Sequence, residues 1–265
     1  NVAIGKQALD ANTTADNNTA VGAAALGANT TASNNTAVGT SALTANTTGC
    51  RNVVLGSSAG LAVTTGNENV AIGYEALKNE DGHGRNTAVG TQALFTQNAG
   101  QDANNVAVGF QAGASISTGS NNVAVGSLAL DANTTANNNT ALGFQSLTAN
   151  TTGANNIAVG SCSMLNNTTG GENISIGKVA MCCNTEGANN TAIGHIALRA
   201  NTTASNNTAI GYSALTANTT GGGNTAMGLC ALNANISGDQ NVAIGLNTMQ
   251  DNTTASNNTA VGFRA

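Results

Sequence analysis

The chain has 265 residues, of which 43 are Asn, 37 Thr and 33 Gly, with six aromatics, no Trp and no Pro. Charged residues make up 7%, against roughly 25% in an ordinary soluble domain, so a conventional core of Leu, Phe and Ile is not expected. The net charge of −5, with single, dispersed Lys and Arg, disfavours nucleic acid as a partner, and no run approaches the roughly 18 apolar residues of a membrane helix.

From the first residue onward the motif Asn-x-small-apolar-Gly returns sixteen times. It begins at Asn1, Asn18, Asn35, Asn52, Asn69, Asn86, Asn105 and Asn122, and continues through Asn139 to Asn258. The step is 17 residues in fourteen of fifteen intervals, and the exception is a 19-residue step with two extra residues near Asn98–Asp102. The repeats run over 1–265 without a linker or second domain, so a single continuous repeat solenoid is expected. The chain does not begin with Met and reads as a processed product or a fragment.

Each repeat is numbered here from its Asn. Position 2 is Val, Thr or Ile, position 3 is Ala in fourteen copies, position 4 is Val, Ile, Leu or Met, and position 5 is Gly, as at Gly5, Gly22, Gly39 and Gly56. Bulky residues alternating with small ones have the period of a strand. Two strand-like segments per repeat are predicted, at positions 1–4 and about 7–10, divided by Gly and by an Asn-Thr-Thr turn. A 17-residue unit buries nothing alone, so stacked coils of an all-β parallel β-solenoid, or β-roll, are predicted. Sixteen coils about 4.8 Å apart would form a rod of roughly 75–80 Å. The position-5 Gly is read as a turn of positive φ or a close approach between coils. The position-1 Asn is read as a side-chain ladder.

Positions 2, 4 and 9 are expected to face inward, which would place the position-3 Ala stripe on the outside. Such a stripe would span several hundred Å², large for a solvated surface, and self-association through it is expected. Two coils carry Gly at position 9, Gly60 and Gly113, and an apolar residue at position 12, Val63 and Ile116. This is read as one inward side chain lost and another supplied.

The run Asn-Thr-Ala-Val-Gly-x-x-Ala-Leu, at Asn35–Leu43, Asn86–Leu94 and Asn207–Leu215, resembles the head repeats of YadA-like trimeric autotransporter adhesins and related repeat-containing bacteriophage tail fibres. The adhesin head motif is matched most directly by Asn1–Gly5, Asn69–Gly73 and Asn241–Gly245. The resemblance implies a left-handed β-roll, a trimer, an extracellular setting and attachment to a cell-surface glycan or receptor. The repeat here is longer than the adhesin's, and the extra length sits in the Asn-Thr-Thr turn.

No catalytic, metal or cofactor residues are expected. His83 and His195 lie more than six coils apart, and Glu80, Asp81 and His83, flanked by Gly82 and Gly84, read as a solvated turn. The five Cys match no zinc or redox spacing. Eighteen Asn-x-Ser/Thr sequons occur, and the position-12 column (Asn12, Asn29, Asn46, Asn133, Asn150, Asn201, Asn218, Asn252) is taken as the candidate glycosylation column on outward turns. The function expected is a structural fibre or adhesin shaft without catalysis, assembling as a homo-oligomer, with three copies favoured. The alternatives are a subunit of a secreted, N-glycosylated filament that polymerises end to end, and an ice-binding solenoid.

Overall fold

The structure is a computed structural model that describes residues 1–265. It forms two compact units, Asn1–Ala136 and Asn137–Ala265. The first holds β1 (Val2–Ile4), β2 (Thr19–Val21), β3 (Thr36–Val38), β4 (Val53–Leu55), β5 (Val70–Ile72), β6 (Thr87–Val89), β7 (Val106–Val108) and β8 (Val123–Val125). The second holds β9 (Thr140–Leu142), β10 (Ile157–Val159), β11 (Ile174–Ile176), β12 (Thr191–Ile193), β13 (Thr208–Ile210), β14 (Thr225–Met227), β15 (Val242–Ile244) and β16 (Thr259–Val261). Within each unit consecutive strands pair in parallel and in register, Val2 on Thr19 and Ile157 on Ile174, so like positions stack in columns. Each unit is a β-solenoid of 17-residue coils with no helix.

Every coil has one strand, at positions 2–4; the second predicted strand, at positions 7–10, is a run of turns. The reason lies in the backbone. Positions 7 and 9 are left-handed: Ser41 has φ 56° and Leu43 φ 52°. These conformations cost roughly 1–2 kcal/mol per L-residue and are offset by what they allow. The Ser41 N–H donates back to Ala23 O at 2.8 Å, whereas the Leu43 N–H donates forward to Ala59 O at 3.0 Å. Reversing the peptide at alternate residues sends bonds in both directions along the stack without an extended strand. Position 17 is left-handed too, and the Asn34 N–H (φ 64°) reaches back to Asp16 O at 3.1 Å.

The core inverts the expected orientation. The position-3 Ala column is buried, as at Ala20, Ala37 and Ala71, beside the position-8 Ala and position-9 Leu columns, while positions 2 and 4 point outward. Ala fills positions 3 and 8, and Leu at position 9 supplies most of the buried volume. Exceptions are compensated. Val54, the one Val at position 3, has Gly at position 9 of its coil, and a Cβ on Gly60 would sit 3.4 Å from a Val54 methyl. Val63 and Ile116 are fully buried, and a Cβ on Gly113 would lie 2.8 Å from Ile116 Cδ1, so these residues fill the space vacated by Leu. Ser175, the one polar residue at position 3, receives a hydrogen bond from Ser163 Oγ at 2.8 Å and donates to Ala180 O at 3.0 Å.

Candidate interaction face and an interrupted ladder

Two asparagine columns brace each unit from inside. The position-1 Oδ1 accepts the next position-1 N–H: Asn18 to Asn35, Asn35 to Asn52 and Asn52 to Asn69, at 2.8–2.9 Å. The same amide donates Nδ2 to the position-15 carbonyl of its own coil, as from Asn156 to Gly170 O at 2.9 Å. The position-12 amide reaches that carbonyl from the other side, Asn167 to Gly170 O at 2.9 Å, and donates to the preceding position-12 Oδ1, on Asn150, at 2.8 Å. Each link of a buried column needs donors in two directions and an acceptor as well, and the primary amide, unlike a hydroxyl with its single O–H, supplies them.

The position-12 asparagines are therefore core residues, and their expected place on outward turns is corrected. Asn29, Asn46, Asn133, Asn150, Asn201 and Asn218 are fully buried, with Asn12 and Asn252 half-buried. A glycan on Nδ2 would replace a ladder donor and has no exit from the core. The sequons whose Asn is exposed are those of position 17, among them Asn17, Asn34, Asn138, Asn189, Asn206 and Asn257, and Asn166 at position 11. The Thr-Thr pair diverges: the position-13 hydroxyl is spent on the next coil, Thr168 Oγ1 to Thr185 O at 3.0 Å, and position 14 faces out.

The position-5 Gly columns mark the closest approach of coils. Gly5, Gly22, Gly39 and Gly56 have φ of 130–142°, and a Cβ on any of them would fall 2.3–2.6 Å from the carbonyl oxygen of the next coil's Gly.

The outward face of the strands is mostly apolar, with Thr at half of column 2. Columns 2 and 4 carry only Thr, Val, Ile, Leu and Met, and column 6 beside them holds five of the six aromatics: Tyr74, Phe110, Phe144, Tyr212 and Phe263. These five are 49–64% exposed, together with Leu55, Leu142, Leu229 and Leu246 at 40–46%. Of the 19 charged residues, two, Lys6 and Lys178, lie in these columns. Eight strands about 4.8 Å apart, four residues wide, give each unit a face of about 500 Å², on which 16 of the 24 positions in these three columns are apolar. Charges gather in other columns. Arg51, Glu68, Arg85 and Asp102 follow one another as a chain of ion pairs at 2.8–3.2 Å, and the two arginines hold the Glu68 carboxyl below its usual range. These groups are exposed and screened.

The position-12 ladder stops at four successive coils of the first unit, where Val63, Glu80, Gln97 and Ile116 replace Asn. The disturbance leaves Asn46 Oδ1, Glu80 Oε2, His83 Nδ1 and Asn86 Nδ2 buried without a hydrogen-bond partner. Asn46 lies next to Val63, which has no amide to give. Asn86 lies in the coil that carries the two-residue insertion. Glu80 is fully buried, so the turn Glu80–His83 is not solvated throughout as expected. Burial pushes the Glu80 carboxyl above its ordinary pKa, although the His83 N–H donates to Oε1 at 3.0 Å. His195, in column 6, is exposed against Tyr212, with ring centroids 5.6 Å apart.

All five Cys are half-buried free thiols. Cys182 and Cys183 hold their sulfurs 3.5 Å apart, well beyond a disulfide bond. Burial, reinforced by the neighbouring Cys183 sulfur, pushes the Cys182 thiol up to about 12. Iodoacetamide at about pH 8 is therefore expected to label Cys182 far more slowly in the folded chain than in urea; equal rates would show that the fold does not shield it.

No protein-family model matches the chain, and no curated protein is significantly similar to it.

Proposed function

We propose that this chain is a non-catalytic structural segment of a fibre or adhesin shaft, whose outward strand face packs against further copies of itself. The observation that carries the reading is the exposed face of columns 2, 4 and 6: mostly apolar, rich in aromatics, nearly uncharged and built on a backbone fixed in register. Pairing about 500 Å² from each of two copies buries roughly 1,000 Å² per unit, just below the standard range for stable protein interfaces. Self-association is thus moved from the Ala stripe, which the fold buries, to the bulky columns. Regular coils also favour this role over catalysis, because a convergent active site needs local irregularity and the repeat supplies identical neighbours. The resemblance to trimeric adhesin heads supports three copies and an extracellular setting.

Sedimentation across a concentration series tests this. The wild-type chain is expected to form a homo-oligomer. Phe110→Lys and Tyr212→Lys, both at exposed positions, are each expected to weaken assembly by at least tenfold, the equivalent of about 1.4 kcal/mol, with circular dichroism unchanged. A wild-type chain that stays monomeric, or assembly indifferent to both charges, would sink the proposal.

A further inference from the structure

We propose that Glu80, His83 and Asp81 form a binding site for a divalent transition-metal ion of the zinc type, which closes the turn where the asparagine ladder is broken. One carboxylate oxygen from Glu80, one from Asp81 and one imidazole nitrogen from His83 all lie within 4.8 Å of one another. His83 Nδ1 stands 3.6 Å from Glu80 Oε1, too far for a hydrogen bond. It is close to the separation of about 3.4 Å between two ligands of one tetrahedral zinc ion. The Asp81 side chain is exposed.

A second observation points to a ligand. The Glu80 side chain is 0% exposed, its Oε2 has no partner, and the adjacent His83 Nδ1 is buried without one as well. Buried polar atoms are normally satisfied, and two orphans on residues three apart in one turn call for an occupant. An apolar contact cannot satisfy them, and a cation can. Imidazole nitrogen with two carboxylates suits zinc-type ions better than calcium or magnesium, which take all-oxygen shells. The two carboxylates balance the charge of a divalent ion.

The backbone that presents these ligands is already fixed. Asp81 O accepts Thr64 Oγ1 at 2.7 Å, His83 O accepts Asn69 Nδ2 at 3.1 Å, and the Gly84 N–H donates to Asp102 Oδ1 at 3.1 Å. Little ordering is left for binding to supply. The site also accounts for the unusual residue at position 12. Eleven of fifteen coils have Asn there, and Glu gives up the amide donor while gaining a charged ligand.

The test is titration of the full reduced chain with Co²⁺ alone, read by its visible absorption, followed by displacement with Zn²⁺. Uptake of one ion per chain is expected, with the weak bands of nitrogen and oxygen ligation and none of the intense near-ultraviolet absorption of thiolate–cobalt bonds. Glu80→Asn restores the residue the other coils carry and is expected to fold normally while losing this uptake at least tenfold. His83→Gln is expected to do the same. Zn²⁺ is expected to raise the melting temperature of the wild type and not that of Glu80→Asn. The Cys182→Ser/Cys183→Ser double variant is expected to bind as the wild type does. Absence of stoichiometric uptake, uptake unchanged in Glu80→Asn and His83→Gln, or uptake lost in the double cysteine variant would each overturn the site.

Discussion

Gly56→Ala is expected to unfold the first unit or to lower its stability by about 4 kcal/mol or more, a cost reserved for defects the structure cannot absorb. The added Cβ would fall 2.3 Å from Gly73 O and 2.6 Å from Gly73 C. Both are backbone atoms, so no side chain can swing aside. Relief requires the coils to separate, and the Gly73 N–H donates to Leu55 O at 2.8 Å beside the collision. The φ of +142° adds strain for any L-residue. A neighbouring glycine supplies the comparison. Gly60 lies four residues on with φ +54°, and a Cβ there would meet Leu43 and Val54 side chains at 3.4 Å. Leu adopts this conformation at the same position of other coils, for example Leu43 with φ 52°. Gly60→Ala is therefore expected to cost about 1 kcal/mol. Urea unfolding of the two variants, followed by circular dichroism, measures the difference. Equal midpoints would show that the coils are not held as closely as the structure places them.

The contrast between these glycines marks what the sequence reveals. Invariance of Gly at position 5 announces a backbone constraint, and the 17-residue step announces stacking, so coil architecture and close approach are legible without coordinates. The sign of the strand is not. Alternation of Val, Ala and Val gives a period of two and leaves open which set faces in. Ordinary hydropathy assigns the larger residues to the core, and here the core admits Ala at positions 3 and 8 with Leu at position 9. The signal that could have reversed the assignment is column 6. Five of six aromatics in one column beside column 4 are hard to place inside a coil of 17 residues. The turn over positions 6–11 was hidden for another reason. Leu, Ser and Gln in left-handed conformations carry no sequence mark of the kind Gly does. Arg51, Glu68 and Arg85 recur at the repeat distance, which makes their ion-pair column readable once like positions are known to stack. Glu80 is not singled out in this way, because position 12 reads as an outward turn until its burial is seen.

Asn190→Ala is expected to lower the stability of the second unit by about 3–5 kcal/mol, from loss of hydrogen bonds to groups that remain buried. Asn190 Oδ1 accepts the Asn207 N–H at 2.9 Å, and Nδ2 donates to Ala204 O at 2.9 Å and to Asn173 Oδ1 at 3.2 Å. Asn190 is fully buried and Asn207 nearly so, which keeps replacement water away from the abandoned donor. The cost is that of an unsatisfied N–H and a weakened carbonyl, with a small cavity added. Asn190→Asp should be worse near neutral pH. The carboxylate keeps the acceptor for Asn207 but loses both donated bonds, and it sets a buried charge against Ala204 O and Asn173 Oδ1. Protonation returns a donor, so the aspartate variant is expected to recover stability as pH falls, while the alanine variant does not. Thr203→Ala, at exposed position 14 of the same coil, is expected to stay within about 0.5 kcal/mol of wild type. Urea unfolding of the three variants at neutral and acidic pH separates these outcomes. An aspartate variant as stable as wild type at neutral pH would mean that the amide donor is dispensable. In that case the invariance of Asn at position 1 would need a reason other than the ladder.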